Sequence, residues 1–348
     1  MMTAVSAESP NVAAAIEAGL RYVSDARPGL SRVKNGKSFS YRDQSGRKVT
    51  DKATLTRIRG LVIPPAWTDV WICPNARGHI QAIGRDARGR KQYRYHPEWT
   101  ATRDSSKFHR MIEFGRVLPQ IRSRTDGHLR RAPLCRERVL ATIVRIMEKT
   151  AIRIGNEEYA RTNGSYGLTT MQDKHASAKD GRVVFRFRAK SGVLQHVELD
   201  DARLAAMVKT CQDLPGQTLF QYLDDNGTPR EVDSSDVNAY LRDLSGSDFT
   251  AKDFRTWIAT VLAATELAAA AARPDCPESL TGRRRELKRA IAVVAAQLGN
   301  TQAVCRKSYI HPAVMTGFLE GRTIQIAQAG KAGVSACETA LTDFLSTP

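Results

Sequence analysis

The segment GRVVFRFRAKSGVLQHVEL, residues 181 to 199, breaks a long helical stretch of the chain. Apolar and polar residues alternate on both sides of Lys190-Ser191-Gly192. That is the period of a half-buried β-hairpin, with a lysine at its turn. The neighbouring segments have the other period. MIEFGRVLPQIRSR (111–124) and RERVLATIVRIMEKTAIRIG (136–155) place apolar residues three and four apart, as helices do. Ala-rich helices are expected over 252–272 and 282–297, joined by the linker ARPDCPES (272–279). The second opens on the basic cluster TGRRRELKRA (281–290), and a terminal helix is expected over 331–345. The hairpin therefore lies inside a mainly helical domain.

The texture differs before residue 98. Residues 10–26, PNVAAAIEAGLRYVSDA, read as an amphipathic helix with proline near its start. In SRVKNGKSFSYRDQSGRKV (31–49), Asn35-Gly36 and Ser45-Gly46 are turn dipeptides of a hairpin. The GKS at 36–38 is a turn and not a phosphate loop, because no glycine stands five residues before Gly36. DVWICPNARGHIQAIGRDARGRKQYRYHP (69–97) alternates short β-rich runs with Gly, Asn and Pro. It predicts a small, mainly antiparallel sheet ending near His96-Pro97. The class is α+β, with a β-rich domain over 1–97 and a larger, mainly helical domain over 98–348. A chain of 348 residues agrees with two domains.

Lys and Arg exceed Asp and Glu by 53 − 36 = 17, a positive field that favours polyanions. No run of about 18 apolar residues occurs, so no membrane span is expected. The N-terminus has no basic region before an apolar core, so no secretory signal is expected. The six cysteines are scattered without metal-ligand spacing, which argues against zinc and a disulfide framework. A reducing, cytoplasmic compartment fits, and nucleic acid is then the favoured polyanion.

A phenol stands among cations in LGNTQAVCRKSYIHPAV (298–314), where Tyr309 follows Arg306 and Lys307. Positive charge stabilises a phenolate, whose parent phenol has a pKa of about 10. Phosphoryl transfer from a nucleic-acid backbone needs such a nucleophile, cations or neutral donors around the non-bridging oxygens, and a proton for the leaving oxygen. Candidates for the remaining roles are Arg153, Lys190, Arg255 and Asn300. Each has an ordinary reading when taken singly. Tyr309 is a surface tyrosine, Arg153 caps a helix C-terminus, and Lys190 is a solvated turn lysine. Arg255 pairs with Asp253, and Asn300 is a left-handed helix cap.

The order Arg153, Lys190, Arg255, Asn300, Tyr309 resembles the active-site series of the type IB DNA topoisomerases, most closely the short poxvirus and bacterial branch. IRIGNEEYARTNGSYGLTTM (152–171) resembles the segment with the first catalytic arginine, which implies Arg153. FRFRAKSG (185–192) is similar to the hairpin with the general-acid lysine, implying Lys190. KDFRTW (252–257) is similar to the K-D-x-R-T segment, implying Arg255. CRKSYIHP (305–312) resembles the nucleophile segment, implying Tyr309. Asn300 stands where poxvirus members carry His; an amide can donate to a non-bridging oxygen but carries no charge.

AIGRDARGRKQYRYHP (82–97) resembles the family's G-x-D-x-x-G-R-x-Q-Y-x-Y element. It interleaves Arg85, Arg88, Arg90, Lys91 and Arg94 with Tyr93 and Tyr95. Cations can neutralise phosphates, and tyrosines can pack on sugars or base edges. The family lays this strand in the DNA major groove, so Gln92 is expected to read a base edge. Tyr159 and Lys252, in the matched catalytic segments, join the expected DNA contacts.

The resemblance implies a monomer that clamps duplex DNA and relaxes supercoils without ATP or metal, through a 3′-phosphotyrosyl intermediate. It implies a nucleoid-associated enzyme with no membrane partner and no nucleotide cofactor. Two alternatives are a tyrosine recombinase and a basic DNA-binding protein that never cleaves. The recombinases usually carry H-x-x-R at the second arginine, where this chain has Lys252 three residues before Arg255.

Overall fold

The computed structural model describes residues 10–36, 38–87, 89–132, 134–326 and 333–347. The chain divides into two compact units, Met1–Phe108 and His109–Pro348, and the division falls inside one long helix.

The first unit begins with α1 (Pro10–Glu17), shorter than the expected 10–26. Gly19, at φ +64°, turns the chain out of the helix, and Arg21 then bridges to Gly78. Ala15 and Leu20 are buried with Trp99. Next come β1 (Leu30–Asn35), β2 (Ser38–Arg42), α2 (Lys52–Gly60), β3 (Thr68–Ile72), β4 (Ile80–Arg85) and β5 (Lys91–Tyr95). They form one antiparallel sheet of order β2-β1-β3-β4-β5. Gly36 sits in the left-handed region at φ +60°, as the tight turn between β1 and β2 requires. The helix α2 is capped by Asp51, which accepts from Thr54 N at 2.7 Å. It sends Ile58 into a core of Leu30, Val70, Ile72 and Ala82. That core leaves β5 on the sheet edge, with Lys91, Tyr93 and Tyr95 exposed on one face.

The long helix α3 (Pro97–His128) runs through Pro119. It is followed by α4 (Arg136–Thr150), α5 (Glu157–Asn163), β6 (Ala176–Lys179), β7 (Arg182–Arg188), β8 (Leu194–Asp200) and α6 (Ala202–Gln212). The short pair β9 (Gln221–Leu223) and β10 (Pro229–Glu231) precedes α7 (Ser234–Ser245), α8 (Ala251–Ala271) and α9 (Leu280–Leu298). The last three helices are α10 (Gln302–Ser308), α11 (Pro312–Leu319) and α12 (Val334–Ser346). The hairpin is β7 and β8, in register from Arg182↔Asp200 to Arg188↔Leu194, and β6 adds a third strand beside β7. In α4 every residue from Val139 to Val144 is buried, so this helix is central and not merely amphipathic. Phe114 of α3 meets Phe249, Phe254 and Trp257 edge-on, at centroid distances of 5.2, 4.9 and 6.0 Å. Among the described residues no helix is long and apolar enough to cross a membrane.

A polar knot holds the last helix against this core. Arg122 of α3 grips Glu338 of α12 with both terminal nitrogens, at 2.6 and 2.8 Å, and its Nε reaches Glu148 of α4. Trp257 Nε1 donates to Glu338 Oε1 at 3.0 Å. Burial disfavours the charged guanidinium of Arg122, but the two carboxylates outweigh it and raise its pKa. Glu338→Ala would leave a shielded cation and an indole N–H without their shared acceptor. Breaking a buried pair in this way costs about 3–5 kcal/mol. The thermal midpoint is expected to fall by on the order of 10 °C. A midpoint within about 2 °C of the parent would mean that Arg122 finds water instead.

Candidate active site

Four of the five candidate catalytic residues come together in the second unit, and Arg255 is their hub. The helix α8 starts at a reciprocal cap: Asp253 Oδ2 accepts from Thr250 N and Oγ1, both at 2.8 Å. Asp253 is thereby occupied with the cap, and the expected pairing with Arg255 is not found. Arg255 is only 5% exposed and instead grips main chain. Its Nη1 donates to the carbonyl of Ala151, and its Nη2 to that of Leu298 at 2.9 Å. Each carbonyl lies two residues before another site residue, Arg153 and Asn300.

Those two residues follow helix ends. Ala151 ends α4 in the left-handed conformation at φ 55°, so Arg153 lies beyond the cap and is not the cap itself. The loop after it is locked by the GSYGLTT segment. Leu168 N donates to Arg153 O at 2.9 Å, and Thr169 N to Ile154 O at 2.7 Å. At Gly167 a Cβ would come within 2.5 Å of Gly155 N, so a side chain there would push the two strands of the loop apart. The helix α9 ends on Gly299 at φ +59°, where a Cβ would meet Gln195 Nε2 of β8 at 2.3 Å. The turn end of the hairpin thus packs beside Asn300. The left-handed cap is Gly299 and not Asn300, whose side-chain oxygen accepts from Arg153 Nη2.

Tyr309 ends the short helix α10 at φ −131°, ψ −30°, with its ring half-buried. The Arg255 guanidinium carbon lies 5.5 Å from the ring centroid. Burial pushes the phenol pKa up. The charges of Arg255, Arg153 and Lys252 outweigh burial, and the net shift is downward. The pKa of Arg255 is lowered too. Burial, then the like charge of Arg153, push it down to about 10, which leaves it charged at neutral pH. Two side-chain donors at this place are buried without a hydrogen-bond partner in the protein, Arg255 Nε and Asn300 Nδ2. Two guanidiniums in each other's field, two idle donors and a phenol eased toward its anion form a site suited to an anion with several oxygens.

Lys190 stands apart. It is exposed at the hairpin tip, next to Ser191 at φ 66°, and among the described residues no hydrogen bond or ion pair ties it to the other four. Tyr159 is 47% exposed on α5, and Lys252 is exposed in the first turn of α8.

The expected DNA-contact strand β5 carries a tyrosine pair, with Tyr93 and Tyr95 stacked at 5.8 Å and 11°. The cations on and beside it are less free than the sequence suggests. Lys91 Nζ pairs with Asp25 at 2.6 Å, Arg85 Nη1 donates to Gly89 O at 2.9 Å, and Arg94 Nη2 to Val62 O at 2.9 Å. Asp86 holds Arg90 Nη2 at 2.7 Å and also accepts from Gln92 Nε2 at 3.0 Å. Arg88 lies outside the described residues. The sequence reading passed over Asp25 and Asp86, because it counted cations without asking which acids fold back onto them.

Residues 94–332 match the family model described as the catalytic core of eukaryotic DNA topoisomerase I. Residues 38–86 match the N-terminal domain of bacterial DNA topoisomerase IB. The chain is 32% identical over 286 residues to DNA topoisomerase 1B of Acanthamoeba polyphaga mimivirus, covering 81% of this chain and 85% of that protein. It is 23% identical over 164 residues to DNA topoisomerase 1B of vaccinia virus (strain Copenhagen), spanning 46% of this chain and about half, 52%, of the viral protein.

Proposed function

The chain belongs to the type IB DNA topoisomerases, and from that membership we propose that its Arg255-centred site cleaves and rejoins one strand of duplex DNA through Tyr309. Tyr309 Oη attacks a backbone phosphorus, the bond from phosphorus to the 5′ oxygen breaks, and the 3′ phosphate stays on the tyrosine. The phenolic proton leaves to solvent, a step eased by the cations that hold the phenol pKa down. Arg153, Arg255 and Asn300 donate to the non-bridging oxygens as charge builds on them. Lys190, exposed at the hairpin turn, gives a proton to the departing 5′ oxygen. Attack by the same hydroxyl reverses each step. The phosphotyrosyl bond conserves the phosphodiester energy, so the reaction needs no ATP.

The observation that carries this reading is the pair of idle buried donors, Arg255 Nε and Asn300 Nδ2, in the structure that also sets Arg255 against the Tyr309 ring. An anion completes such an array. The direct test is to mix the protein with plasmid, quench with denaturant and look for protein joined to DNA 3′ ends. The adduct is expected on plasmid of arbitrary sequence, from a monomer. No adduct would favour a non-cleaving DNA binder. An adduct that requires paired specific sites and several protomers would favour a recombinase.

We assign DNA contacts to both units. In the first, Lys91 and the Tyr93–Tyr95 pair share an exposed face of β5. A phosphate must compete with Asp25 for Lys91, since the pair is already closed. Lys91→Ala is expected to weaken duplex binding evenly across sequences and to lower the salt slope by up to about 0.9. An unchanged slope, measured by titration at several salt concentrations, would mean that Asp25 keeps this lysine from the DNA.

A further inference from the structure

We propose that Thr260 is a positioning residue for the nucleophile: its hydroxyl ties the backbone on both sides of Ile310 to the helix that carries Arg255. The inference rests on Tyr309 being the nucleophile. Thr260 lies five residues after Arg255 on α8 and is fully buried. Its Oγ1 accepts from His311 N at 3.1 Å, and the Tyr309 carbonyl is 3.0 Å away as an acceptor. The hydroxyl has one proton, and the carbonyl of Thr256 stands at 2.9 Å as a second acceptor. The Thr256 contact is the ordinary back-bond of a helical threonine. The His311 contact is not, because an N–H can only donate and this one reaches the hydroxyl from another helix.

This matters at Tyr309 because the helical ladder runs out there: Tyr309 N and Ile310 N both donate to Cys305 O at 3.0 Å, and the regular pattern goes no further. The helix α10 ends at Tyr309, and α11 begins at Pro312, capped by His311, whose Nδ1 accepts from Ala313 N at 3.0 Å. The residues between are held by the bonds to Cys305 O, by the burial of Ile310 and by Thr260. One rigid helix therefore carries both the guanidinium and the hydroxyl that fixes the tyrosine backbone beside it. Their spacing along α8 sets where the phenol sits relative to Arg255. The charged groups that act on that phenol are Arg255 and Lys252 from α8 and Arg153 from the loop after α4, while Cys305 of α10 acts on Arg255.

The test is single-turnover cleavage across pH by the full chain, with Thr260→Val and Thr260→Ser compared to the parent. Valine keeps the shape and loses the hydroxyl; serine keeps the hydroxyl. A misplacement of about 1 Å can cost on the order of 10²-fold in rate. Thr260→Val is expected to cleave about 10- to 100-fold more slowly, with duplex binding unchanged and the rising limb of its profile, on which the phenol loses its proton, moved to higher pH. Thr260→Ser is expected to cleave near the parent rate with the parent profile. A general loss of folding would lower the active fraction but would not move the limb. If Thr260→Val cleaves at the parent rate, or is slow with an unmoved limb, the inference is overturned. If Thr260→Val does not fold, Thr260→Ser decides: a slow serine variant overturns the inference, and a fast one supports it. Failure of the parent protein to form an adduct at Tyr309 would instead remove the proposed function.

Discussion

Tyr309→Phe is expected to bind duplex DNA nearly as the parent does, yet to form no covalent adduct and relax no plasmid. The substitution removes one atom, the attacking oxygen. The ring that faces Arg255 is kept, and so are the backbone contacts through Thr260. Arg255 retains its two carbonyl partners, so the hub of the site does not collapse. Losing a nucleophile that nothing replaces removes activity by more than about 10⁴-fold. Binding is measured by titration on a short duplex, and chemistry by denaturant trapping. Residual relaxation at even a few percent of the parent rate would move the nucleophile to another residue.

The second large effect separates charge stabilisation from proton donation. Lys190→Ala and Arg255→Ala should both cleave ordinary DNA slowly. General-acid loss costs about 10²- to 10⁴-fold, and loss of a donor to the developing charge about 10²- to 10³-fold. Their responses to a 5′-bridging phosphorothiolate should differ. That substrate departs as a thiolate, which needs no proton. Lys190→Ala should recover most of its rate on it, whereas Arg255→Ala should recover little, because its defect lies at the non-bridging oxygens. Arg255→Ala should also lose stability, since the carbonyls of Ala151 and Leu298 lose their donor inside the fold. Equal recovery by both variants would return Lys190 to a solvated turn residue.

The parts of this molecule that repeat a period were legible in the sequence. The hairpin at 181–199 and the helices over 252–272 and 282–297 all appear, within one or two residues for both helices. What had no period was missed. The helix KATLTRIRG (52–60) offers few apolar residues, and only Ile58 is buried. The strand ASAK (176–179) is too short to alternate visibly and exists by pairing with β7. The first helix was read too long because apolar residues continue past Glu17, while Gly19 and the bridge to Gly78 end it.

The candidate site shows the same division. The types and order of Arg153, Arg255, Asn300 and Tyr309 could be read from the chain, and the fold brings these four together. How they are held could not be read. The partners of Arg255 are backbone carbonyls at Ala151 and Leu298, and a carbonyl leaves no trace in a sequence. Thr260 resembles any buried helical threonine until the folded chain sets it against Tyr309 and His311. Asp25 lies 66 residues before Lys91, beyond the reach of any local pattern.

The most direct test of the account is relaxation of supercoiled plasmid by the purified protein in EDTA, with no nucleotide added. The account predicts that the plasmid passes through a ladder of topoisomers to the fully relaxed form, leaving no net nicks once the protein is removed after completion. No relaxation under these conditions, or relaxation only when ATP or a divalent metal is restored, would contradict it.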